Sequence, residues 1–230
     1  SGQQAYARDN FNFSPGRTLL ISRDIQGSPL PFDSTQIDLA RGNFVAAFSN
    51  SDGQIRGYNW STGSSTSAIS SASGGALGNA PSSAVELSNG FAAESDDVAV
   101  FASSASNLVP GGPSIRNIYA KSGDGSVELI SRPAAGFADG PSDAPAVSAD
   151  GLTIAFQTDA SNLGTSPQPG AVATQICLAG PREGSGRPRE CVSRNPLTGL
   201  PGNAPSTAVQ LSADGRFGVF ESLASNLVAD

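Results

Sequence analysis

Few residues in this chain are suited to catalysis. It has no histidine, which removes the usual general base and the Ser–His and Cys–His nucleophile pairs. Serine is abundant, but no G-x-S-x-G elbow presents one at a sharp strand-to-helix turn. GxGxxG and P-loop patterns do not occur, and the GDGS stretch at residues 123–126 reads as a hairpin tip. Glu86, Glu94, Asp96 and Asp97 lie close in sequence and would suit a paired-carboxylate hydrolase, although a solvated acidic loop accounts for them more simply. Residues 95–97 (SDD) and 49–53 (SNSDG) offer oxygen ligands for calcium without the spacing of a twelve-residue EF-hand loop. The sequence therefore predicts no catalytic residue, no cofactor and no metal site, with calcium as the alternative.

Three groups of residues are better suited to binding. Cys177 and Cys191, the two cysteines of the chain, flank the segment AGPREGSGRPRE. If QICLA and ECVSR are antiparallel strands, the two thiols face each other across a hairpin stem and a disulfide is expected. Such a bridge stabilises by about 3 kcal/mol in the chain-entropy picture; two buried free thiols are the alternative. Two Cys without His cannot hold zinc unaided. Between and beside them stand Arg182, Arg187 and Arg189, a basic protrusion suited to docking on an acidic partner or simply to being solvated. Tyr58 and the single Trp, Trp60, share one face of an alternating strand and suit either a glycan or partner platform or packing between sheets. The triplets at Asn12 and Asn59 match the N-glycosylation pattern, a weak signal in a Ser-rich chain.

Composition points to the scaffold holding these groups. Of 230 residues, 43 are Gly or Pro and only 14% are charged. That balance belongs to many short strands joined by turns, and regularly spaced Val, Ile, Leu and Phe clusters argue against disorder. The net charge of −7 leaves no basic stripe to neutralise phosphates, so nucleic acid is an unlikely partner. No run of ~20 apolar residues is long enough to span a bilayer. The near absence of lysine and the cysteine pair fit an exported protein, whether secreted, periplasmic or at the cell surface. A chain starting at Ser1 fits a processed product, a trimmed one or a portion of something longer.

Repetition organises the whole chain. ASNL recurs at residues 105–108, 160–163 and 224–227, each time after an apolar run ending in Phe (VAVF, TIAF, FGVF). Upstream lie APSSAVELSNG, APAVSADG and APSTAVQLSADG, which make a unit of roughly 55–64 residues. Units two and three each contain four short alternating runs: AVELS, VAVFAS, RNIYAKS and SVELISR, then APAVS, LTIAFQT, ATQICLA and RECVSR. This is the pattern of a four-stranded antiparallel meander. Asp-Gly in the SADG pieces supplies the positive-φ geometry of a tight turn between the first and second strands. Unit one (TQIDLA, NFVAAFS, IRGYNW, TSAIS) lacks ASNL. The chain opens on runs matching third and fourth strands (QQAYARDN, RTLLISR) and closes on runs matching first and second ones. Three whole units and two complementary halves make four: 1–24, 34–71, 80–132, 143–195 and 204–230.

SADG, the aromatic-ended second strand, ASNLV and the closing V-S or I-S-R resemble the WD40-like (PD40) β-propeller repeat of TolB-like proteins, over essentially the whole chain. The resemblance implies a propeller of small-residue-rich blades in an exported or envelope-associated bacterial protein, and it carries no agreed catalytic residues. Blade number departs from it, since these propellers usually have six or more blades. The expectation is an all-β, four-bladed β-propeller of four-stranded antiparallel blades, one of them completed by both chain ends. Closure within one molecule is favoured by effective concentration; pairing between molecules, or a longer array, is the alternative. The function expected is a non-enzymatic scaffold or interaction module binding a protein partner or its own copies through rims or half-blades. A carbohydrate-binding module is the alternative, and a carboxylate-dependent hydrolase a more distant one.

Overall fold

The computed structural model describes the chain except residues 1–2, 10–16, 24–27, 41–44, 60–63, 66–67, 90–97, 164–172, 184–185 and 229–230. Trp60, Glu94, Ser95, Asp96 and Asp97 therefore lie outside the described residues, as does the triplet at Asn12.

The described residues are all-β: sixteen strands and no helix. β1 (Tyr6–Asp9) and β2 (Arg17–Leu20) form a two-stranded sheet. Three four-stranded antiparallel meanders follow. The first holds β3 (Ser34–Ala40), β4 (Val45–Asn50), β5 (Ile55–Asn59) and β6 (Ser64–Ser65). The second holds β7 (Ser82–Leu87), β8 (Val98–Ser103), β9 (Asn117–Ser122) and β10 (Val127–Leu129). The third holds β11 (Ser142–Val147), β12 (Ile154–Thr158), β13 (Gln175–Ala179) and β14 (Arg189–Cys191). A second two-stranded sheet, β15 (Ser206–Leu211) and β16 (Gly218–Ser222), ends the series.

In the three meanders the second strands are largely buried, because both faces of those sheets are covered. β4 and β8 are buried at every position. One face of β8 (Ala99, Phe101) packs on the first meander with Val85 and Leu87. Its other face (Val98, Val100, Ala102) packs on Ile154, Phe156 and Cys177 of the third. β2, β10 and β14 are shorter than the apolar runs suggest, and one side-chain contact recurs in all four units. Ser22, Ser70, Ser131 and Ser193 each place a hydroxyl where a backbone carbonyl would sit, accepting from the amides of Ala5, Ile55, Ile118 and Ile176 at 2.9–3.0 Å. The same hydroxyls donate to Gln4, Gln54, Asn117 and Gln175. The N-terminal half-sheet carries the same pair as the three meanders, so β1 and β2 occupy third- and fourth-strand positions.

ASNL is an inter-unit clamp. Asn107, Asn162 and Asn226 donate through Nδ2 to the carbonyls of Leu77, Phe137 and Pro201. Their Oδ1 atoms accept from the amides of Asn79, Asp139 and Asn203. Each asparagine thus satisfies backbone groups of the loop that enters its unit. In the SADG turns Gly151 and Gly215 adopt φ of 73° and 65°, and Asp150 and Asp214 accept from the amides two residues on.

Candidate functional site

Two regions combine unusual chemistry with open space. The first is a cleft of about 810 Å³ between the second and third meanders, holding Arg132, Arg182, Arg187 and Arg189 around Glu128. The β13–β14 hairpin delivers three of them. Cys177 and Cys191 stand directly opposite in its register and form a disulfide. Pinned in this way, the hairpin turns its arginines inward rather than outward. Arg187 lies 3.4 Å, Arg182 3.7 Å and Arg189 3.8 Å from the Glu128 carboxylate. Arg187 also donates to the carbonyls of Leu152 and Gly180, and Arg189 to those of Ile130 and Arg187. Burial pushes the Arg189 guanidinium below its usual value, with Glu128 opposing and Arg132 and Arg187 adding to the effect. The basic trio joins two units of the same molecule, a contact beyond the sequence reading of a solvated or partner-docking protrusion, and Arg182 remains its exposed member.

The second region lies where the first strands of four of the five sheets, β3, β7, β11 and β15, meet. β3 contacts β7, β7 contacts β11 and β11 contacts β15. Together they line a cavity of about 360 Å³ that includes Gln36, Ala84, Glu86, Ala144, Ala208 and Gln210. Each of these strands is broken by a register shift. At each shift a non-glycine residue adopts positive φ: Gln36 49°, Ala84 55°, Ala144 46° and Ala208 55°. These bulges escaped the sequence reading, although each falls two residues after a serine in STQ, SSA, SDA and STA. Glu86 is pushed up to about 7, first by burial and then by the neighbouring Asp38 charge. Asp38 itself accepts from the Leu87 amide, and Gln36 from the Ala84 amide, which ties β3 to β7.

Other expected site residues are placed apart. Tyr58 is buried with Ala5, Ile21, Ala46 and Phe48, and its hydroxyl accepts from Arg23 at 2.5 Å while the same guanidinium covers its ring. A buried ring presents no stacking face, so Tyr58 belongs to the packing between β1–β2 and the first meander. Asp52 of the SNSDG turn is held in a salt bridge by Arg56. Among the described residues no three Asp, Glu, His or Cys side chains gather to hold a metal.

The terminal sheets carry a third feature. β1–β2 and β15–β16 are separate sheets. By ladder position Val219 of β16 corresponds to Val100 of β8 and Ala47 of β4. Val100 and Ala47 are fully buried, whereas Val219 is 68% exposed. Ile37 and Leu39 of β3 correspond to Val85 and Leu87 of β7; the first pair are 53% and 54% exposed, the second 4% and 8%. Between the first two meanders, Ala47 and its neighbours pack on Val85 and Leu87. Val219 on one side and Ile37 and Leu39 on the other are the matching halves of that contact, both uncovered. No helix in the described residues is long and apolar enough to cross a membrane. No protein-family model matches the chain, and a search of curated proteins gives no match.

Proposed function

We propose that the chain is a non-enzymatic interaction module of the β-propeller kind, exported from its cell, whose copies join through their incomplete terminal sheets. Three whole four-stranded units and two complementary halves amount to four blades, and the bulged first strands around a common cavity stand where inner strands of a propeller would. The resemblance of the repeat to the WD40-like propeller units of TolB-like proteins supports the same reading.

One observation carries it: Val219 is exposed while Ile37 and Leu39 are exposed too, and the equivalent residues bury each other between the first two meanders. Covering a valine or isoleucine side chain contributes about 1.5–3 kcal/mol, so these two faces are a matched pair of adhesive surfaces. The β16 edge adds unpaired backbone donors and acceptors, which in β8 and β12 are taken by a third strand. A second copy supplies both missing parts, its β1–β2 sheet for the edge and its β3 for the face, as in an exchange of equivalent elements between protomers.

The test is a cross-link that only two molecules can make. Val219→Cys and Leu39→Cys proteins are prepared separately, mixed and oxidised. A covalent heterodimer is expected, and a mixture that stays monomeric under oxidation contradicts pairing in trans. Tyr58 burial removes one residue of the glycan platform; Trp60 lies outside the described residues, and no observation favours that alternative.

A further inference from the structure

We infer that the arginine cleft between β9–β10 and β13–β14 is a binding site for a small organic acid, a carboxylate carried on an apolar body. The charge balance comes first. Four guanidiniums line the cleft against one carboxylate, Glu128. Asp124 at the β9–β10 turn also feels the Arg182 charge, though it is held below its ordinary range first by hydrogen bonds from Ser126. A surplus of positive charge remains in a chain whose net charge is −7.

Donor capacity comes second. Where this protein makes a closed arginine–carboxylate pair, the contact is short and bidentate, as at Arg116 and Asp143 with 2.8 and 2.9 Å. Glu128 is shared by three guanidiniums, each at 3.4 Å or more, so none of them is saturated by it. Arg187 is fixed and 7% exposed at its side chain; its Nε and Nη1 are engaged, and Nη2 has no acceptor among the described residues. The Arg132 guanidinium makes no hydrogen bond or ion pair among the described residues, its backbone amide alone donating to Ile130, and Arg182 makes the one ion pair with Glu128. A carboxylate meets guanidiniums in a two-pronged geometry that uses such spare donors.

The apolar wall comes third. Phe137, Val109, Pro110, Pro133 and Pro188 line the same space. A hydrated inorganic anion gains nothing from such a wall, whereas an aromatic or aliphatic acid buries its body there. The site shares no residue with the terminal faces, so it stands or falls separately from self-association.

The experiment is calorimetric titration of the intact protein with phenylacetate, with 2-phenylethanol and inorganic phosphate as comparisons. Phenylacetate is expected to bind, both comparisons more weakly. The exposed pair Arg132→Ser/Arg182→Ser is expected to weaken phenylacetate about tenfold or more, and Arg132→Ser alone, which removes no side-chain hydrogen bond or ion pair among the described residues, to weaken it in the same direction. Absence of phenylacetate binding, or equal binding by wild type and both variants, overturns the site. Phosphate binding as tightly as phenylacetate overturns the apolar part of the assignment.

Discussion

At the scale of single residues, Glu128 is the most consequential charge in the molecule. It is the shared counter-ion of Arg182, Arg187 and Arg189, and two of those arginines lie largely out of water. Removing one partner of a buried cluster costs more than the cluster contributes, because charges left behind lose solvation without compensation. Glu128→Gln keeps the shape and deletes the charge, so a loss of about 2 kcal/mol in urea unfolding is expected. Unchanged stability would mean that backbone carbonyls alone satisfy the arginines. The cluster was half legible in the sequence. A hairpin carrying three arginines could be read from the spacing of Cys177 and Cys191, but the acid that draws them inward belongs to β10, some 59 positions from Arg187. Only the packing of one meander on the next brings the two together.

Glu86 gives a second prediction at this scale, with a definite sign. In the folded protein it titrates near 7 against an ordinary 4.5, so the folded state holds an extra proton between those values. Its contribution favours folding fully below about pH 4.5 and is lost as pH rises through about 7. Thermal midpoints measured from pH 4.5 to pH 8 are expected to carry a downward component that Glu86→Gln removes. The size is about 1 kcal/mol, because the half-open position leaves the carboxylate partly screened by solvent. Parallel profiles for the two proteins would contradict the assignment.

At the scale of elements, most of the architecture was readable. Alternating runs, Asp-Gly turns and the ASNL echoes foretold meanders of four strands, and the half-units at each end, because period-two burial and turn chemistry are local signals. Two features were not. β2, β10 and β14 end early because Ser22, Ser131 and Ser193 replace a backbone acceptor with a hydroxyl, and the apolar pattern continues beyond the ladder. The first-strand bulges rest on positive φ at Gln36, Ala84, Ala144 and Ala208, a conformation these residue types disfavour by about 1–2 kcal/mol each. Composition gives no hint of it, since alanine is at home elsewhere in a strand-rich chain. If the bulge is imposed by neighbours on a reluctant residue, Ala144→Gly gains about 0.5 kcal/mol, the relief of strain exceeding the entropy of a freer unfolded chain. Ala144→Val then loses about 2 kcal/mol. A denaturation series in which glycine destabilises as much as valine would refute strain at this site.

At the scale of the whole molecule, the governing fact is that each sheet is finished by its neighbour. Asn107, Asn162 and Asn226 clamp the loop that enters their unit; Lys121, buried in the second meander, donates to Ser71 at the exit of the first. Val85 and Leu87 are core only because the first meander lies against them. Such a series has two unfinished ends, and here they are β16 with Val219 and β3 with Ile37 and Leu39. The sequence showed that the ends complement each other and favoured their closing on one another. The structure holds β1–β2 and β15–β16 as separate sheets, which leaves the complementary surfaces uncovered and makes association between copies the proposal to test. The mass of the native protein by light scattering across a concentration series decides it. Pairing of terminal sheets between copies predicts a concentration-dependent species at a multiple of 23.1 kDa, reduced toward the monomer by Val219→Lys. A wild-type protein that stays at 23.1 kDa at every concentration would contradict it.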